Sequence, residues 1–206
     1  MRSASVLRIL LLAAWAGAAA SCSDSSSPPD DTRPPSELSV IHVAPSSTPL
    51  LNTTVSFYAK RGEGREGSIS FQGVGGVGGE EYVRLRIDAN SLLALPNGTP
   101  IVPGDSVLIT LSVVDPTEML FDLQPTGLTF SPLNPARLKI HYDHADGDLN
   151  ADGVSDGRDD TIEHSLSIWR QESLGDPFVR LTSVLTIETD EAETELMGFS
   201  RYALAY

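Results

Sequence analysis

The sequence predicts an all-β fold, an antiparallel β-sandwich with Greek-key-like connections. From Glu37 onward, apolar residues alternate with polar ones over short runs, and Gly, Pro, Asn and Asp interrupt the runs. No stretch shows a convincing apolar spacing for an amphipathic helix. Around a dozen short strands in one chain of this size are typical of a sandwich.

Each predicted strand is an alternating segment bounded by turn-forming residues. Trp169 and Phe178 flank the turn 171–177, which predicts a hairpin with aromatic side chains near its open end. Two core-facing stripes follow from the alternation, and they consist of Val107, Ile109, Leu111 and Val113, and of Leu138, Ile140 and Tyr142. The predicted strands are 38–43, 54–59, 68–72, 82–87, 106–114, 119–123, 128–130, 136–142, 161–169, 178–188, 192–197 and 199–205.

The twelve-residue segment 148–159 has the ligand spacing of a calcium loop. Gly153 stands at its sixth position, where the backbone must turn sharply. The closing residue is Asp and the upstream flank alternates as a strand, so we expect weak binding, on the order of 10⁻⁴ to 10⁻³ M. The segment resembles the calcium loops of dockerin modules over these residues only. The predicted ligands are Asp148, Asn150, Asp152, Asp156 and Asp159 through side chains and Val154 through its carbonyl, with Asp156 binding directly or through water.

Two alternatives to the calcium loop remain open at the level of sequence. The segment is also compatible with a hydrophilic surface turn that binds no ion. A transition-metal site from His141, His144 and His164 with Asp143 is a further option, because imidazole suits zinc. His141 and His144 are three residues apart at a strand end, a spacing that places them on opposite faces.

The amino terminus has the pattern of a secretion signal that ends at a lipid anchor. Arg2 and Arg8 precede an apolar run, residues 9–20, and small residues follow up to Cys22, the one cysteine of the chain. The segment resembles the lipobox of bacterial lipoproteins, which implies that Cys22 is lipidated and becomes the first mature residue. Ordinary signal cleavage with a free thiol is the alternative. We therefore expect a protein of the cell envelope, anchored in the outer membrane, or otherwise secreted or periplasmic.

Composition divides the chain into three segments. Residues 1–21 are the predicted signal peptide, residues 22–37 a disordered linker rich in Ser, Pro and Asp, and residues 38–206 a single β-sandwich domain. The formal net charge is -14, and loss of Arg2 and Arg8 with the signal leaves 12 basic and 28 acidic residues, a net charge of -16. This excess argues against nucleic-acid binding and favours association with divalent cations.

The glycine-rich run 73–78 matches the spacing of a dinucleotide fingerprint, but an alternating segment follows it instead of a helix. We therefore predict a hairpin loop there. The sequence also lacks a Gly-x-Ser-x-Gly elbow and a His-Glu-x-x-His motif, and no pair of its many carboxylates stands out as catalytic. These observations predict a protein that is not an enzyme.

The carboxy-terminal half carries the motifs Gly127-Leu-Thr-Phe130, Pro135-Ala-Arg-Leu138 and Phe199-Ser-Arg-Tyr202 in this order. This half, from about residue 80 to 206, resembles the β-sandwich domain shared by zona occludens proteins, ankyrins and uncoordinated-five netrin receptors. Some relatives cleave themselves at a His-Phe-Ser motif. Gly198 stands here in place of the histidine, so Ser200 lacks a general base and we expect no self-cleavage.

Three functions are compatible with the sequence. The first is a membrane-anchored envelope lipoprotein with a non-catalytic structural or binding sandwich that calcium stabilises; an envelope protein or polymer is a candidate partner. The second is a metal-assisted hydrolase of a surface polymer, which predicts polar side chains in a pocket beside the loop. The third is a carbohydrate-binding accessory module, which predicts a row of exposed aromatic side chains. The first is our prediction.

Overall fold

The computed structural model describes residues 31–206, and most regular elements in that range are β-strands. One α-helix and two short 3-10 turns, Val74–Gly76 and Ile187–Thr189, complete the set. In chain order the elements are β1 (Thr32–Arg33), β2 (Thr54–Lys60), β3 (Arg65–Gln72), β4 (Gly78–Ile87), β5 (Leu92–Ala94), β6 (Ser106–Val113), β7 (Leu120–Gln124), β8 (Thr129–Phe130), β9 (Ala136–His141), α1 (Gly157–Glu163), β10 (Ser167–Gln171), β11 (Phe178–Arg180), β12 (Ser183–Thr186), β13 (Glu191–Leu196) and β14 (Arg201–Ala205).

The strands form two antiparallel sheets that pack as a sandwich. The first has seven strands in the order β1-β11-β10-β14-β7-β6-β2, the second has five in the order β12-β13-β9-β4-β3, and β5 pairs with β8 separately. Hairpins join β3 to β4, β6 to β7, β10 to β11 and β12 to β13. The chain crosses from one sheet to the other between β2 and β3, β4 and β6, β7 and β9, β9 and β10, β11 and β12, and β13 and β14. The predicted all-β sandwich is confirmed.

The main core lies between the two sheets, where apolar side chains from both inner faces meet. Ile109, Leu111 and Phe121 of the first sheet share this core with Leu85 and Ile140 of the second. All five are fully buried, as the alternation predicts. Phe121 lies 5.4 Å from Tyr82 between ring centroids, so aromatic contacts also cross the sandwich.

A second, smaller core covers the outer face of the seven-stranded sheet. Alternation along β10 directs Ile168 into the main core and Trp169 to the opposite face. Leu38 packs on Trp169 there, and the Arg33 guanidinium lies 5.4 Å from its ring centroid. Because β1 lies within the predicted linker 22–37 and pairs with β11, ordered packing begins before the predicted domain boundary at residue 38.

Three strand predictions require correction, and the first two concern strand pairing. Segment 38–43 forms isolated bridges instead of a ladder, because Val40, His42 and Val43 each meet a different partner segment. Segment 178–188 is two strands in different sheets, since the chain crosses the sandwich between β11 and β12. The hairpin at 171–177 and the turn at 73–78 agree with the predictions.

The predicted strand 161–169 is wrong in its first half, where α1 runs to Glu163 and β10 begins only at Ser167. The helix forms because Asp156 and Asp159 make a reciprocal capping box that satisfies free backbone N–H groups at its start. Its partly buried Ile162 packs against the main core. In the described part of the chain, no helix is long and apolar enough to cross a membrane.

Candidate metal centre

The predicted calcium loop lies in the long connection that leads from β9 to β10. Its two sides are fixed to the sandwich. Leu149 and Ile162 pack against the main core, and the Tyr206 hydroxyl donates a 3.0 Å hydrogen bond to the Leu149 carbonyl. The loop is therefore a surface feature on a rigid base.

The first half of the loop is shaped by carboxylate and amide oxygens that accept backbone hydrogen bonds. Asp148 accepts from the N–H groups of Asp152 at 3.0 Å and Gly153 at 2.7 Å, and Asn150 accepts from Asp152 at 2.8 Å. Gly153 has φ 91°, a conformation that glycine adopts without strain, while Ala151 holds φ 56° within the same turn. The turn predicted for the sixth position is present.

The second half is organised around Asp159, the predicted closing ligand. Its side chain accepts from the N–H of Asn150 at 3.2 Å and from that of Asp156 at 2.8 Å, so it joins the start of the loop to its end. Asp159 is only 4% exposed, which makes it the most buried of the predicted side-chain ligands. The N–H of Asp156, followed by those of Asn150 and Leu149, lowers the pKa of this carboxyl below its ordinary value.

A cationic side chain already contacts one of the predicted ligands. The Arg158 guanidinium lies 3.3 Å from an Asp152 carboxylate oxygen, and both side chains are substantially exposed. Val154 is also exposed and donates its N–H to Asp152 at 3.1 Å. Asp152 therefore has partners that a cation at the loop must replace or share.

The carboxylate oxygens of the loop do not converge on a single point where an ion could bind them all. Within residues 31–206, no three of them place oxygens within 4.8 Å of one another. Calcium accepts a flexible shell of six to eight oxygens, so the donor set fits this ion if exposed side chains such as Asp152 and Asp156 turn inward. Such reorganisation costs binding free energy, and the weak affinity expected from the sequence remains a prediction.

A cavity of about 220 Å³ beside the loop concentrates negative charge. Burial, and then the charge of Asp143, raises the pKa of Asp190, whereas burial together with Glu163 and Asp190 raises that of Tyr142. Besides burial, the cause in both cases is a neighbouring carboxylate, so negative charge is concentrated here and a cation would reduce the repulsion. The acidic residues that line the cavity are Asp143, Asp146, Asp159, Asp160, Glu163 and Asp190.

The structure does not support a shared site for the three histidines of the alternative zinc prediction. His141 lies beside Glu81 and Glu191, and His164 contacts the Asp160 carbonyl at 2.7 Å. His144 instead lies 2.9 Å from Glu80 and 3.8 Å from Asp143. Of the predicted set, only His144 and Asp143 belong together, and sequence reasoning missed Glu80, which is 64 residues from His144.

Ser200 is buried, and its hydroxyl accepts a 2.9 Å hydrogen bond from Arg170 Nε. The backbone at Gly198 passes so close to the Leu128 carbonyl that a Cβ there would lie 3.0 Å from that oxygen.

The predicted lipidation site, Cys22, lies outside the described residues. No protein-family model matches the chain, and no curated protein or solved structure is significantly similar to it.

Proposed function

We propose that this protein is a cell-envelope lipoprotein whose β-sandwich is a non-catalytic structural or binding module stabilised by calcium. The observation that carries the calcium part of the proposal is the hydrogen-bonded form of the loop, in which Asp148 accepts from Asp152 and Gly153 and Asp159 accepts from Asn150 and Asp156. The same backbone turn leaves further oxygens of Asn150, Asp152 and Asp156 at the surface, where a hard cation can recruit them.

Calcium at the loop would act by stiffening the connection between β9 and β10. This connection joins the two sheets and carries the acidic cavity, so its carboxylates repel one another when no cation is near. A bound divalent ion would reduce that repulsion and hold the start of α1 against the loop. Asp148, Asn150, Asp152, Asp156, Asp159 and the Val154 carbonyl would hold it, and its contribution would be structural.

The surface supports a structural module better than a carbohydrate-binding one. Among residues 31–206, Tyr58 is the only large aromatic side chain that is mainly exposed. A platform that stacks sugar rings needs several such side chains on one face. The partner that we propose is the membrane itself, through Cys22, together with an envelope protein or polymer. Outer-membrane localisation and the lipid anchor rest on the sequence of residues 1–22.

Thermal unfolding tests the calcium proposal. The protein carrying Cys22→Ser, which removes its one thiol, is unfolded in EDTA and again in excess calcium. At about a tenfold excess over Kd, we expect the Tm to rise by roughly 3–6 °C, because binding to the folded state alone stabilises it by linkage. Asp148→Asn should remove the rise.

Asp176→Asn is the matched control, since it makes the same chemical change in an exposed turn outside the loop and should preserve the rise. An unchanged Tm in calcium contradicts the proposal. A rise that survives in Asp148→Asn places the ion elsewhere and also contradicts it. The anchor is tested separately, because Cys22→Ser should move the protein from the membrane fraction to the soluble fraction of the expressing cells.

A further inference from the structure

A second cluster of metal-ligating side chains lies apart from the calcium loop, where the beginning of β4 meets the segment after β9. It contains Glu80, Asp143 and His144, each of which offers one ligand atom within 4.8 Å of the other two. His144 Nε2 lies 2.9 Å from Glu80 Oε2 and 3.8 Å from Asp143 Oδ2. In residues 31–206 this is the only set of three or more His, Cys, Asp and Glu side chains with such spacing.

The imidazole of His144 is fixed in place by two groups that are not ligands. Its ring stacks on Phe71, with centroids 3.9 Å apart and planes at 28°. Its Nδ1 lies 3.1 Å from Ser47 Oγ. Metal-ligating histidines ordinarily have their second nitrogen held in this way, which fixes the direction of the first.

The Ser47 hydroxyl can hold His144 in the tautomer that metal binding needs. Ser47 Oγ lies 3.1 Å from His144 Nδ1 and 3.2 Å from the His144 carbonyl oxygen, to which it can donate. With the ring proton on Nδ1, the imidazole donates to Ser47 and its Nε2 lone pair faces the Glu80 carboxylate. With the proton on Nε2, the ring donates to Glu80 instead. Metal binding through Nε2 selects the first tautomer.

The backbone around the cluster is rigid. The Ala44 N–H donates to the His144 carbonyl at 2.8 Å, and Asp143 and His144 follow β9 after Tyr142. Glu80 belongs to β4, which pairs with both β3 and β9. Of the three side chains Glu80 has the most freedom to adjust, since it is 72% exposed, against 32% for Asp143 and 19% for His144.

We propose that Glu80, Asp143 and His144 form a binding site for a divalent transition-metal ion, with zinc as the best match. One imidazole nitrogen and two carboxylate oxygens are zinc ligands, whereas calcium takes oxygen alone. Bonds of about 2.0–2.1 Å to a tetrahedral ion place neighbouring ligand atoms about 3.3–3.4 Å apart. The observed 2.9 and 3.8 Å bracket that separation, so small movements of Glu80 and Asp143 complete the geometry.

Three protein ligands leave the fourth position of a tetrahedral ion open to water or to a group from another molecule. Zinc bound here would join β4 to the base of the connection that carries the calcium loop. The site is independent of the proposed calcium ligands, which begin at Asp148.

Cobalt(II) binding followed by zinc displacement tests the proposal. The protein with Cys22→Ser is titrated with cobalt, because tetrahedral cobalt gives strong visible absorption that octahedral oxygen coordination does not. We expect one cobalt ion per chain, displaced by one zinc ion. His144→Ala should abolish the absorption, and Glu80→Gln should weaken zinc binding at least about tenfold. His164→Ala, at an exposed histidine outside the cluster, should have no effect.

Ser47→Ala separates a metal site from a simple ion pair. It leaves all three ligands present but removes the group that orients His144, so zinc affinity should fall by about tenfold or more while the fold is retained. Asp148→Asn should leave zinc binding unchanged, which makes this result independent of the calcium proposal. Absence of stoichiometric binding, or equal affinity in wild type and Glu80→Gln, would overturn the proposal. Should His144→Ala fail to fold, Glu80→Gln at the exposed position decides.

Discussion

The core of the sandwich and the connection between β9 and β10 are stabilised in different ways. In the core, side chains such as Phe121, Leu138 and Ile140 are fully buried, and their contribution comes from removing apolar surface from water. In the connection, Asp148 and Asp159 act by accepting backbone N–H groups. The first kind of stabilisation needs no bound ion and no ionised group, whereas the second depends on carboxylates that remain ionised.

The largest expected effect is in the core and should not respond to calcium. Phe121→Ala removes a fully buried ring that packs against Tyr82, and such truncations cost about 3–5 kcal/mol of unfolding free energy. Urea unfolding measured in EDTA and in calcium should give the same loss. A loss that calcium largely reverses would show that the two regions are not energetically separate.

Acid should weaken the connection before it affects the core. The lowered pKa of Asp159 means that its contribution is complete above the ordinary aspartate pKa and is lost as the pH falls through the lower, folded-state value. We therefore expect Asp159→Asn to lower the Tm at neutral pH and to have progressively less effect as the pH falls below about 4. Asp160→Asn, the exposed neighbour on α1, is the control. Equal pH dependence in both variants would refute this assignment.

The smallest effect concerns the guanidinium group of Arg158, a cationic side chain within the loop. Arg158→Gln removes the guanidinium that pairs with Asp152 and frees that carboxylate for calcium. Exposed ion pairs contribute about 0–1 kcal/mol, so calcium affinity should increase by no more than about fivefold. Calorimetric titration measures the change. A decrease in affinity would indicate that Arg158 positions Asp152 for the ion instead of competing with it.

The same contrast explains which features the sequence predicts well. Alternation identifies β6 and β9 with their buried faces, because each inward position repeats every second residue. The turn at Gly153 follows from local chemistry. Both signals are contained in a few consecutive residues, so a single sequence is sufficient.

The features missed depend on contacts that are distant in sequence or on competing local signals. The end of α1, 161–163, falls in a predicted strand because Thr161 and Ile162 are β-formers, while the capping box of Asp156 and Asp159 favours a helix there. The pairing of β1 with β11 and the approach of Glu80 to His144 require the folded topology. No local pattern marks Glu80 among the many acidic residues of the chain.

Hydrogen exchange with and without calcium tests the difference between the two regions most directly. Amides that donate to loop carboxylates, such as those of Gly153 and Asp156, are expected to exchange more slowly when calcium is added. Amides of β6 and β9 in the core should exchange at unchanged rates under conditions where local opening dominates. Unchanged exchange throughout the loop at millimolar calcium, or slowing confined to the core strands, would contradict the proposal that the loop binds calcium.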